Sequence, residues 1–186
     1  MKKYLFCVLT VVLLVSCGRN AIPKPYAYYR IDLPDHAYTM LDTTIPYRFE
    51  MSQYAHISPC PDELNWINID YPQWHARLHL SFVPLHKDTF QTVAEESRTL
   101  VYKHTIKANA IIEQYYGNDT ARVYGILYDV TGNAASSIQF FVTDSVAHFL
   151  RGALYFNNLP NADSIAPVNN YIREDIVRLI ETLQWK

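Results

Sequence analysis

Glycine is scarce in this chain of 186 residues, with only five in all. No glycine-rich phosphate loop occurs, and neither His-Glu-x-x-His, Cys-x-x-Cys nor Gly-x-Ser-x-Gly is present. The motif-borne chemistries of nucleotide binding, zinc hydrolysis, dithiol exchange and the serine nucleophile elbow are therefore not expected. Charge of one sign is also missing: 16 Lys and Arg face 18 Asp and Glu, a formal net charge of −2. That balance supplies no basic footprint for nucleic acid. No apolar run reaches the about 20 residues of a membrane-spanning helix. Cysteine is rare too, at positions 7, 17 and 60. There are no internal repeats and no low-complexity tracts. What the chain has instead is 49% hydrophobic content and 15 tyrosines, a composition suited to a packed core and half-wet surfaces.

The first informative stretch is at the front. Lys2 and Lys3 precede an apolar run from Tyr4 to Val15, and Leu14-Val15-Ser16-Cys17 closes it. A positive start, a short apolar middle and a small residue before the cut describe a secretory signal peptide over residues 1–16. The box before Cys17 is similar to the lipobox of bacterial lipoproteins. There the thiol receives a diacylglycerol and its residue becomes the new N-terminus. Cysteine suits that step because its thiolate is nucleophilic near neutral pH. Two or more acyl chains anchor a protein far more firmly than one, so the mature chain is expected to be held to a membrane without spanning it. With Cys7 removed and Cys17 lipidated, Cys60 has no partner within the chain, and the domain must fold without a disulfide. In Ser-Pro-Cys-Pro, Cys60 reads as a buried, inert thiol.

Residues 17–46 carry Pro23, Pro25, Pro34 and Pro46 without periodicity, which predicts an extended, semi-rigid tether. Tyr26, Tyr28, Tyr29 and Tyr38 suggest that part of it docks on a surface. The globular domain is expected over 47–186. Strand signals cover 47–51, 55–58 and 64–71. The clearest alternation runs from Trp74 to Phe82, with His75, Arg77, His79 and Ser81 on its polar face. Asp88 and Gln91 resemble a capping box opening a helix. Four more strands, near 110–116, 121–130, 136–143 and 147–157, are linked by turns at 117–119, 131–133 and 143–145. Links that short make consecutive strands antiparallel. A terminal helix follows, capped by Asp163 or Ser164, with Pro167 in its first turn and Ile165, Val168, Ile172, Ile176, Leu179 and Leu183 on one stripe. Together these predict a single α+β domain: a mainly antiparallel sheet of about six to eight strands covered by two principal helices.

Candidate chemistry is sparse. His75 and His79, on one strand face with Arg77 between them, would stand about 13 Å apart, too far to share an ion, so no metal and no cofactor are expected. His104, His148 and Arg151 are the candidate ligand or interaction residues, with Asp129 and Asp144 nearby in sequence. Arg151, inside an apolar strand, needs a partner or an open face. Four Asp-Ser/Thr triplets, at Thr43, Thr120, Ser145 and Ser164, resemble a short O-glycosylation acceptor of exported bacterial proteins. Asp and Ser/Thr also belong in turns and caps without any sugar.

Longer segments carry a family resemblance. Pro23-Lys24-Pro25, Tyr29-Arg30-Ile31-Asp32-Leu33-Pro34, Asn68-Ile69-Asp70-Tyr71-Pro72 and Tyr102-Lys103-His104-Thr105-Ile106-Lys107-Ala108 resemble the GldD family of gliding-motility lipoproteins. So do Gly132-Asn133-Ala134-Ala135-Ser136, Thr143-Asp144-Ser145, His148-Phe149-Leu150-Arg151-Gly152 and the terminal Arg178-Leu179-Ile180-Glu181-Thr182-Leu183. The resemblance implies a cell-envelope lipoprotein tied to gliding and to the type IX secretion machinery. It implies no enzymatic activity and supplies no catalytic residue; only Cys17 transfers with a defined role. Gly18-Arg19-Asn20, with no Asp after the lipidated Cys, is similar to outer-membrane lipoproteins, and the lack of an acidic cluster places the domain on the periplasmic side. The function expected is a non-enzymatic accessory or assembly component acting by protein binding. The alternative is a periplasmic small-ligand binder or enzyme with a pocket near Arg151, His148 and His104.

Overall fold

Alternation along the strands decides the architecture of this protein, whose computed structural model describes residues 31–61, 63–103, 108–157 and 161–186. The expected signal peptide 1–16, Cys17 and His104 lie outside the described residues. In chain order the elements are β1 (Tyr38–Leu41), β2 (Tyr47–Ser52), β3 (His56–Pro59), β4 (Ile67–Tyr71), a 3-10 turn (Pro72–Trp74) and β5 (Ala76–Pro84). Helix α1 (Phe90–Tyr102), β6 (Ala108–Asn118), β7 (Val123–Gly132), β8 (Ser136–Thr143), β9 (His148–Phe156), α2 (Ala162–Thr182) and β10 (Gln184–Trp185) follow. Seven strands form an antiparallel sheet in the order β3-β4-β5-β9-β8-β7-β6, and a second sheet has the order β1-β2-β10. The α+β class and the two principal helices are as the sequence predicts.

Each face of the large sheet has its own apolar layer because side chains on a strand alternate sides. On one face, Leu78, Leu80 and Phe82 of β5 join Leu150 and Leu154 of β9 and Ile138, Phe140 and Val142 of β8. Val168, Ile172, Ile176 and Leu179 of α2 and Tyr47, Phe49 and Met51 of β2 close over them. On the opposite face, Tyr128, Val130, Phe141 and Phe149 form a smaller cluster under Phe90, Val93, Ala94 and Val101 of α1. Gly152 belongs to the first face. A Cβ there would run into the ring of Phe140 on the neighbouring strand, so the glycine is what lets that ring lie across β9.

Several boundaries differ from the sequence reading. Residues 38–41 are a strand rather than tether: β1 pairs antiparallel with β2, Tyr38 opposite Ser52, and the compact unit runs from Ile31 to Lys186. Backbone pairing, unlike burial, leaves little trace in a four-residue segment with no apolar period. Trp74 and His75 do not extend β5. Trp74 ends the 3-10 turn and His75 takes a left-handed conformation (φ 51°), so the strand starts at Ala76. Helix α1 lacks the expected capping box. Asp88 itself has φ 67°, and the N-cap is Thr89, whose hydroxyl serves His86 instead. Asn161 caps α2, accepting from the Ser164 N–H at 3.2 Å, which leaves Pro167 inside the helix rather than in its first turn.

Candidate functional site

Three polar clusters among the described residues bear on the candidate residues, and only one of them contains Arg151. Arg151 alternates with Leu150 and Gly152, so it projects from the face of β9 that also carries Phe149, Ala153 and Tyr155. Strand register sets its neighbours. Asn68 lies opposite His79, His79 opposite Ala153, and Ala153 opposite Gln139, one row across β4, β5, β9 and β8. Arg151 Nη2 donates to Gln139 Oε1 at 2.8 Å. Ser81 and Arg77 of β5 stand opposite Arg151 and Tyr155. Arg77 is claimed by Asp70 at 2.5 Å, and Asp70 also accepts from Ser58 at 2.7 Å. Burial, followed by the Arg77 and Arg151 charges, holds the His79 imidazole below its ordinary pKa, with Asp70 opposing. Burial lowers the Arg151 guanidinium as well.

His148, three residues before Arg151, points to the opposite face, because an odd separation along a strand reverses the side. The pocket expected from Arg151, His148 and His104 is therefore not formed by the two of them that are described. His148 instead closes the far end of β9. Its Nδ1 lies 2.8 Å from Asp144 Oδ2, and its ring stacks on Trp185 with centroids 5.1 Å apart. Asp144 Oδ1 meanwhile accepts the backbone N–H groups of Val146, Ala147 and His148 at 2.8–2.9 Å. Burial works against this carboxylate, but the bonds from His148 and the turn backbone outweigh it and hold the Asp144 pKa well below the carboxylate range. Trp185 Nε1 donates to Arg122 O at 3.0 Å, and a cavity of about 580 Å³ opens beside Asp144, His148 and Trp185. The turn thus serves as an anion-stabilised β9 start.

The third cluster ties the N-terminal arm to α2. His36 places Nδ1 2.8 Å from Asp175 Oδ1 and Nε2 2.9 Å from Glu174, and it stacks on Tyr171 at 4.1 Å. Tyr71 donates to Asp175 Oδ2 at 3.1 Å. Asp175 is only 3% exposed. Burial raises its pKa, while His36 and Tyr71 pull it down. Burial and the Asp175 charge push the Tyr71 hydroxyl well up and that of Tyr171 up to about 12. The pair joins the arm to the helix: Asp175 of α2 takes His36 and Tyr71 together.

Asp129, the remaining acid weighed from sequence, holds Arg173 of α2 through both carboxylate oxygens at 2.8–3.1 Å. His75 is exposed and stands apart from His79, and among the described residues no three His, Cys, Asp or Glu side chains come together to hold a metal. Cys60 is half-buried rather than fully buried. Thr43, Thr120, Ser145 and Ser164 are all exposed. Sequence reasoning missed His36, Asp175, Gln139 and Asn68. Gln139 did carry a signal, an amide within Ile138-Gln139-Phe140-Phe141, but its neighbours depend on register. His36 and Asp175 are 139 residues apart and share no pattern.

Fold and clusters define an α+β domain with a doubly covered antiparallel sheet and an N-terminal arm built into one of its layers. A family model described as gliding motility lipoprotein GldD matches residues 18–185, and the chain belongs to that family. No curated protein matches it. Membership makes the chain a membrane-associated lipoprotein of the cell envelope, in a family defined by gliding motility and not by a catalysed reaction.

Proposed function

We propose that this lipoprotein is a non-enzymatic accessory or assembly component of the gliding apparatus and of type IX secretion, acting by binding protein partners. The observation that carries the reading is the family match across residues 18–185. Cys17 takes the lipid and holds the chain at the outer membrane, with the domain on the periplasmic side. Exposed Leu100 and Tyr102 on α1, with Tyr115 on β6 and Tyr124 on β7 on the sheet face that α1 covers, supply the half-apolar surface that protein partners use. Thr43, Thr120, Ser145 and Ser164 are proposed as O-glycan acceptors; an intact mass without added hexose on protein from its native host would remove that assignment.

The test is in-cell crosslinking of tagged protein, followed by purification and mass spectrometry, with Cys17→Ser as control. Motility or secretion components should co-purify with the wild type and be lost from the control. Recovery of the protein alone would overturn the reading.

A further inference from the structure

The two edges of the seven-stranded sheet are protected very differently. An outermost strand presents a row of backbone N–H and C=O groups that no neighbouring strand takes up, and proteins shield such edges with short strands, proline, lysine or bulges. At one end, β3 is 4 residues long and finishes in Pro59. At the other, β6 runs 11 residues from Ala108 to Asn118 and, among the described residues, pairs only with β7. It holds no proline, lysine or arginine, and its single charge is Glu113. Its irregularity lies between Ala108 and Ala110, so residues 110–118 pair with β7 without a break.

The side chains of this edge are open on both faces. Ile112, Gln114 and Tyr116 stand on the face that α2 covers, and Ile111, Glu113 and Tyr115 on the face that α1 covers. Ile112 is 56% exposed and Tyr115 72%. Ile112 also borders an open cavity of about 330 Å³ shared with Ile165 and Ala166 of α2, so the uncovered apolar surface continues from the edge onto the helix.

We propose that β6 pairs antiparallel with β6 of a second copy of this chain, about a twofold axis perpendicular to the sheet at Gln114. The match of the strand to itself selects a second copy. Opposed residues in a sheet share a face, so the axis must pass through a residue and not between two. Centred on Gln114, Glu113 lies opposite Tyr115 of the second copy and Ile112 opposite its Tyr116, with Ile111 on Gly117 and Ala110 on Asn118. The one charge thus meets a phenol. Glu113 already accepts from Tyr102 at 2.8 Å and from Tyr115 at 3.0 Å within its own chain, so that pairing suits both groups. Ile112 on Tyr116 is the β-branched and aromatic pairing that stabilises neighbouring strands. An axis one residue earlier would set Glu113 against Glu113, and like charges directly opposed are destabilising. An axis one residue later would set Ile112 against Asn118 and shorten the overlap. The pairing is independent of the protein-binding reading, since either can fail alone.

The experiment is cysteine crosslinking of the full lipidated chain in its native envelope, together with sedimentation of the purified chain in detergent. Directly opposed residues stand about 4.5–5.5 Å apart between Cα atoms, within reach of a disulfide. Gln114→Cys should form a disulfide-linked dimer on oxidation. Ala110→Cys, about 27 Å from its counterpart, should not, and neither should the wild type with its half-buried Cys60. Replacing Gln114 removes one bond to Arg173, which keeps both oxygens of Asp129. The wild type should sediment as a dimer, and Ile112→Lys, which enters the interface twice, should weaken the dimer at least about tenfold. A monomeric wild type, no crosslink at Gln114, or a dimer indifferent to Ile112→Lys overturns the proposal. In a monomer, slow hydrogen exchange along β6 would assign its edge to another segment of the same chain, and fast exchange would show the edge open.

Discussion

His36 Nδ1 rests 2.8 Å from Asp175 Oδ1, and this contact joins the N-terminal arm to the middle of the last helix. His36→Ala removes the contacts to Asp175 and Glu174 and the stack on Tyr171, and should cost about 1–3 kcal/mol. Hydrogen exchange should show faster opening of β1 while β5 and β9 stay protected. Uniform loss of protection across the sheet would instead make the arm part of the global folding unit.

Asp144 and Asp175 should show opposite pH dependence. The Asp144 pKa is depressed below the ordinary 3.8, so its stabilisation is present above that value and is lost as pH falls through the folded pKa. The Asp175 pKa is raised, so its contribution is fully present below 3.8 and is lost as pH rises through the folded pKa. Denaturant unfolding of Asp144→Asn should show a deficit of about 2 kcal/mol at neutral pH that shrinks on acidification. The Asp175→Asn deficit should be largest in acid and shrink as pH rises.

Gly152 and Phe140 form a size-matched pair. Gly152→Ala should destabilise by about 1–3 kcal/mol because the buried ring has little room to retreat. Phe140→Leu in the same chain should recover part of that loss, a coupling that a double-mutant cycle in urea measures. Strict additivity would show that the clash is relieved elsewhere.

Core and surface positions should separate cleanly. Ile172→Ala, on the fully buried stripe of α2, should cost about 2–5 kcal/mol. Tyr115→Ser, at a residue 72% exposed, should stay within about 0.5 kcal/mol in thermal or denaturant unfolding. A large loss at Tyr115 would mean that its hydrogen bond to Glu113 carries more than a surface contact normally does.

By itself the sequence determined strands β2 to β9, the two helices and the antiparallel links. Those features are local: alternation, helical period and turn chemistry act within a few residues, and the physical cause is written where the element forms. It also carried the family resemblance that the match over 18–185 bears out. Tertiary structure alone decided the rest. Whether His148 and Arg151 could meet depended on strand parity, which follows once β9 is known to run unbroken through both. Which residues surround Arg151 depended on the register of β8 against β9, where a bulge between Ser136 and Ile138 shifts the count by one. That β1 and β10 are strands depended on a partner, β2, supplying their hydrogen bonds from 12 residues away in the pair Thr39–Met51 and from 136 residues away in the pair Gln184–Arg48. Cross-strand and cross-layer contacts leave no local period behind, because each is set by the whole sheet closing at once.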